Sequence, residues 1–226
     1  LLAIDLRRNG RISRLIARRP RLIVVDMWDD YWCRERRKRY ATLAERIGAV
    51  LPEFRKAGGR VIHAPCATME YYAGTRARLE AHRWSARNPP KRSESTIPAL
   101  QMNTVCQCEP RCETREDFLH AEHPAICIGD GDIISDDVAE IYTWLRRSGS
   151  DLLLFSGVNA ESCVLYMPFG IAAASQWGIK IGLVRDLTET FDWWRTEDAV
   201  AFVEEHYCGS VDSGQIQAAR SERKNP

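Results

Sequence analysis

Apolar residues fall along the chain in two alternating patterns, short continuous runs and longer stripes at helical spacing. The runs Arg21–Asp26 (RLIVVD), Arg60–Ala64 (RVIHA), Ala125–Ile128 (AICI), Asp151–Phe155 (DLLLF) and Lys180–Val184 (KIGLV) read as strands buried on both faces. Between them, Leu43, Ile47, Val50, Leu51 and Phe54 make one face of a helix over about 41–57, kinked or restarted at Pro52 and stopped by Gly58-Gly59. Further stripes predict helices over 136–147 with Ser135 as N-cap, over 162–177 with a break or kink near Pro168, and over 196–206. Residues 210–216 add a short final element. Alternating strand and helix with apolar strands predicts an α/β fold, a mainly parallel sheet between two helical layers.

The 226 residues fit one domain over 1–226. Residues 83–118 depart from the pattern, with several prolines, mixed charge and no periodicity. They read as a long insertion that covers the active edge or an oligomer interface, as long loops in compact domains often do. The net charge of +1 gives no general electrostatic case for nucleic acid or an anionic membrane. The basic runs Arg7–Arg21 and Arg34–Arg39 are taken as solvated faces of an N-terminal arm and a helix. No apolar stretch is long enough to span a bilayer. A cytoplasmic location is expected, although a chain beginning at Leu1 leaves room for a removed signal.

Candidate chemistry gathers at the carboxyl ends of two strands. Cys163 lies in Leu152–Phe169 (LLLFSGVNAESCVLYMPF), where a strand end meets a helix start. Open α/β sheets bind ligands at that edge. Free N–H groups and the helix dipole stabilise a thiolate there, so Cys163 is expected to have a lowered pKa and to act as a nucleophile. An inert structural cysteine is the alternative. Asp26 ends the first run, where a carboxylate is costly unless it is paired or faces a cleft. In one parallel sheet both residues reach the same edge, and Asp26 can take the thiol proton and return it. A turn-capping Asp is the other reading.

These residues resemble the isochorismatase-like cysteine hydrolases, a family that includes nicotinamidases and N-carbamoyl amide hydrolases. The resemblance rests on Leu22–Asp26, the aromatic loop Met27–Cys33, Arg60–His63, Arg185-Asp186 and above all Gly157–Val164 (GVNAESCV). It implies a Rossmann-like, isochorismatase-like three-layer helix–sheet–helix fold. It also implies Cys163 as nucleophile, Asp26 as proton carrier, a cis Val158–Asn159 bond, and an oxyanion hole from the N–H groups of Asn159 and Cys163. The implied reaction opens an amide-type C–N bond of a small molecule through a thioester, without a cofactor; the family also contains an enol-ether hydrolase with no covalent nucleophile. A homo-oligomer is implied too. The Trp-rich loop marks the subgroup it is closest to. The family's catalytic Lys is missing, since no Lys occurs from Glu122 through Cys163 and ungapped placement puts Gly129 or Asp130 in its place. Arg185, Lys91 or His63 are the candidate substitutes, and Asp132 is a candidate for a changed role. A binding protein that kept the fold and lost catalysis is the alternative function.

Trp28 and Trp32 are expected to line a substrate pocket beside Asp26, with His63, Asp132 and Phe169 as further lining residues, although the aromatics and Phe169 can equally serve as core. The even total of eight cysteines permits disulfides. Cys106, Cys108 and Cys112 offer three thiols for zinc, with His120 or His123 as a fourth ligand, but lack the usual Cys-x-x-Cys pair. Reduced thiols or disulfides are expected ahead of structural zinc, so the sequence reading carries no metal and no cofactor.

Overall fold

The computed structural model describes residues 1–84, 87–90, 97, 99–100, 105–115, 117–192 and 195–218. The chain opens with a hairpin, β1 (Leu2–Arg8) and β2 (Arg11–Ala17), rather than the solvated arm expected from its arginines. Asn9 and Gly10 turn it, with φ of 49° and 73°. Both central residues of a two-residue type I′ turn need positive φ, and Asn-Gly is the sequence that supplies it.

Six more strands complete one sheet: β3 (Pro20–Val25), β4 (Arg60–Ala64), β5 (Ile133–Ile134), β6 (Leu152–Gly157), β7 (Lys180–Thr188) and β8 (Gly209–Val211). Their order is β2-β1-β8-β7-β6-β3-β4-β5. Pairings from β8 through β5 are parallel, and β1 joins antiparallel. Helix α1 (Arg34–Lys56) and the terminal α7 (Ser213–Ala218) lie with one apolar core. Against the other face pack α3 (Val138–Arg147), α4 (Cys163–Tyr166), α5 (Ile171–Ala174) and α6 (Thr196–His206), and α2 (Arg76–His82) flanks β5. The expected three-layer α/β fold is present.

Several boundaries move for identifiable reasons. Helix α1 starts at Arg34, well before 41, because its first turns are charged and carry no apolar stripe. It also runs through Pro52. The helix expected over 162–177 splits at Met167-Pro168, where Met167 takes the extended conformation (ψ 155°) that a following proline favours. Asp137, not Ser135, caps α3, accepting from the N–H groups of Ala139 and Glu140. Residues 125–128 form no strand; Ala125 packs on α1 where a Cβ at Gly48 would sit 2.1 Å from its carbonyl oxygen. The third parallel strand is Ile133–Ile134 instead.

That short strand is held by a buried charge network under the sheet. Asp132 accepts from Val61 N–H (2.8 Å), Gly129 N–H (2.7 Å) and the Arg55 guanidinium (2.5 and 3.0 Å). His63, fully buried on β4, lies between Glu122 (Nδ1 to Oε2, 2.6 Å) and Asp132 (Nε2 to Oδ2, 3.4 Å). Burial opposes a charge on His63, but Glu122 and Asp132 outweigh it and push its pKa up to about 9. Burial pushes the Glu122 carboxyl up, against the attraction of His63. Burial also works against the Asp132 carboxylate, but the bonds from His63 and Arg55 win and hold it below the usual range. Removing one member of such a network strands the others without countercharge, at a cost of about 3–5 kcal/mol. Asp132→Ala is expected to lose that much in urea unfolding at pH 7; a loss under about 1 kcal/mol, the scale of a surface pair, contradicts the network's role.

Candidate active site

The chain leaves β3 for β4 and β5 on one side and returns to β6 and β7 on the other. The crevice between the carboxyl ends of β3 and β6 is therefore the topological switch point, where open α/β sheets bind ligands. Val25 stands opposite Gly157 across it. Gly157 is required there. Its φ is 107°, and a Cβ would lie 2.1 Å from the Val25 carbonyl oxygen. Val158 N–H donates to that oxygen (3.0 Å), and the following Val158–Asn159 bond is cis. Cys163 then opens α4.

Asp26 follows β3 in the left-handed region (φ 52°), rare for a residue with a side chain. Its N–H bonds to the Ala64 carbonyl (3.0 Å), and its Oδ1 accepts from Cys66 N–H (3.0 Å). The Cys163 and Cys66 thiols lie beside this carboxylate, with Cys66 Sγ donating to the Ala64 carbonyl (3.7 Å). Ser162 Oγ lies 3.7 Å from the Cys163 sulfur, near the Asn159 backbone. The N–H groups of Val158, Ala160, Ser162 and Val164 are engaged by the carbonyls of Val25, Glu189 and Asn159. Among the described residues, no backbone carbonyl engages those of Asn159 and Cys163.

Burial sets the electrostatics. It pushes Asp26 up to about 6, against the hydrogen bonds from Cys163 and Cys66 that favour its ionised form. Burial, then the negative charge of Asp26, pushes Cys163 up to about 12. The expected lowering of the Cys163 pKa is thus reversed, because α4 has only four residues and offers little dipole, whereas desolvation and a carboxylate act directly on the sulfur. Near neutral pH the resting pair is a protonated thiol beside an ionised carboxylate.

The structure brings Asp26, Cys163 and Asn159 together. Trp28 is close by, its indole N–H on the Cys66 carbonyl (3.0 Å). Trp32 lies farther along the loop, stacked on Tyr31 and beside Phe191. His63 and Asp132 are not in the crevice; their polar atoms are spent on the buried network. Phe169 is fully buried core. Among the described residues, neither Arg185 nor His63 stands in for the missing Lys. Arg185 bonds to Ser210 and Asp212, His63 is sequestered, and Lys91 falls outside the described residues. Gly129 and Asp130 stand away from the crevice, Gly129 bonding to Asp132 and the exposed Asp130 to Arg76. Among the described residues, no Lys, Arg or His forms an ion pair with Asp26. Sequence reasoning named Tyr31 with Trp28 and Trp32 as candidate pocket wall but missed Cys66 and Tyr40. Tyr40 Oη donates to Asn159 Oδ1, and Tyr31 packs edge-on against Tyr40 (ring centroids 5.1 Å apart). Tyr40 had a legible signal in its place on the apolar stripe of α1, one turn before Leu43 and Ala44.

The raised Asp26 pKa carries a stability consequence. The unfolded carboxyl ionises near 3.8 and the folded one near 6, so stability falls as pH rises between those values and stays lower above them. Asp26→Asn cannot ionise and escapes that penalty. It should unfold about 2–3 kcal/mol less readily than wild type at pH 8 and gain nothing at pH 3.5, as read by urea denaturation. Equal stability differences at both pH values contradict a buried, ionising Asp26.

No protein-family model and no curated protein matches the chain. Solved structures do. An isochorismatase family protein from Burkholderia thailandensis superposes at TM-score 0.55 and 14% identity, over 88% of this chain and 94% of the other. An isochorismatase family protein from Desulfovibrio vulgaris gives TM-score 0.53 and 15% identity, over 87% and 95%. A cysteine hydrolase from Pseudomonas syringae gives 0.52 and 14%, over 88% and 93%. The chain has the fold of the isochorismatase-family structures.

Proposed function

We propose that the protein is a cysteine hydrolase of the isochorismatase-like type that opens an amide-type C–N bond in a small molecule. One observation carries the reading: a carboxylate and a thiol set beside each other at the switch-point crevice of this fold. Cys163 Sγ attacks the carbonyl carbon while its proton passes to Asp26. The oxyanion is held by the N–H groups of Asn159 and Cys163. Collapse breaks the C–N bond, and Asp26 gives its proton to the leaving nitrogen, which leaves a thioester on Cys163. Water attacks the thioester carbonyl as Asp26 takes its proton. The acid departs, and Asp26 returns that proton to the sulfur, which restores the resting pair.

Tyr40 positions this machinery by fixing the Asn159 side chain, and Tyr31 packs against Tyr40. Trp28 and Tyr31 supply aromatic wall on the Asp26 side, which favours a substrate with a planar or apolar part.

A second reading has support of its own. With no cation paired to Asp26 among the described residues and the thiol pushed up to about 12, a binding protein on the same fold is the alternative. The two differ in a panel of primary amides and N-carbamoyl compounds. A hydrolase turns over at least one, traps a thioester adduct on Cys163 by mass spectrometry, loses turnover in Cys163→Ala, and drops about 10²–10⁴-fold in Asp26→Asn. Turnover that persists in Cys163→Ala, or a panel that binds without turnover, sinks the thioester mechanism.

A further inference from the structure

The insertion and the aromatic loop meet in a cluster that the hydrolase reading does not use. Cys33, Cys106, Cys108 and Cys112 place their four sulfurs within 4.8 Å of one another. Cys33 Sγ lies 3.6 Å from Cys106 Sγ and 3.7 Å from Cys108 Sγ. All four are free cysteines. Those separations far exceed a disulfide bond of about 2.05 Å. They match the edge of about 3.8 Å that a tetrahedron of sulfurs has around zinc at about 2.3 Å.

Three of the sulfurs also receive N–H donors. The Arg36 guanidinium donates to Cys33 (3.2 Å) and Arg34 N–H to Cys112 (3.4 Å). Cys108 N–H and Cys112 N–H donate to Cys106 (3.4 and 3.5 Å). Among the described residues, the partners of these sulfurs are N–H donors or other sulfurs of the four, never an oxygen acceptor. Thiolates need donors, and apart from one another these sulfurs meet N–H donors. The N-terminus of α1, a 23-residue helix, points its first N–H groups at the cluster, and the buried Arg36 adds positive charge. Both offset the net negative charge of a tetrathiolate metal centre.

We infer that Cys33, Cys106, Cys108 and Cys112 hold a structural zinc ion. On binding, the four thiols form four Zn–S bonds and release their protons to water, fewer where a thiolate already exists. Four protein sulfurs close the coordination sphere, so the site leaves no position for substrate and is structural. Its role follows from its place. Residues 105–115 contain no helix or strand, and the metal stands in for the core they lack. It fastens them to the start of α1 and to the loop that carries Trp28 and Tyr31. This departs from the sequence reading, which expected no metal and gave the fourth ligand position to His120 or His123. His120 lies beside Asp29 instead (3.8 Å), and His123 Nδ1 accepts from Ala125 N–H (3.2 Å).

The test is elemental analysis of the full chain, purified without a polyhistidine tag or chelator. One zinc per chain is expected, released by a mercurial thiol reagent. Cobalt(II) in its place should give a thiolate charge-transfer band and the intense visible bands of a tetrahedral ion. Cys108→Ser and Cys112→Ser, at half-buried positions, should each lose stoichiometric zinc. Should either variant fail to fold, the wild-type metal content and cobalt spectrum decide alone. Wild-type protein that holds no zinc and gives no such spectrum, or in which peptide mapping finds disulfides among the four cysteines, overturns the site. Iron in place of zinc overturns the assignment of the ion.

Discussion

The meeting of the Cys163 thiol and the Asp26 carboxylate depends on the register of two parallel strands. Val25 faces Gly157, so the residues just beyond each strand emerge side by side at the one crevice the topology leaves open. Gly157 lets the backbones approach closely enough, and Asp26 turns through the left-handed region so that its carboxylate meets both Cys66 and Cys163. A shift of one residue in that register would send one partner to the opposite face of the sheet.

Burial gives the pair its character and its cost. A carboxylate this deep resists ionisation, and a thiol beside it resists ionisation more. Both effects favour the neutral thiol over the thiolate at Cys163. The second buried set solves the same problem differently. His63 and Arg55 supply countercharge to Glu122 and Asp132, so those carboxylates fasten β4 to β5 rather than react. One sheet thus carries a charge-compensated polar cluster below the edge and a carboxylate without a cationic partner, among the described residues, at the edge.

What was legible in the sequence follows from which interactions are local. Apolar runs marked β3, β4, β6 and β7 because a strand buried on both faces is apolar throughout. Asp26 and Cys163 were legible because each directly follows such a run or the loop after it. The hairpin was hidden behind its arginines, although Asn9-Gly10 was there to be read. His63 and Asp132 were misplaced because the face a strand residue takes, and its partners, depend on segments distant in sequence: Glu122 lies 59 residues from His63, and Arg55 lies 77 residues from Asp132. The same holds for Cys33, which no spacing rule links to Cys106 across the intervening strand and helices.

The most direct test is the titration of Asp26 by carboxyl ¹³C NMR in wild type and Cys163→Ala. A proton shared with the thiol predicts ionisation near 6 in wild type and at higher pH in the variant, where a hydrogen bond that favours the carboxylate is gone. An Asp26 that titrates in the ordinary range near 3.8, unmoved by the loss of Cys163, would mean that the two groups do not meet and would contradict the pair as a catalytic unit.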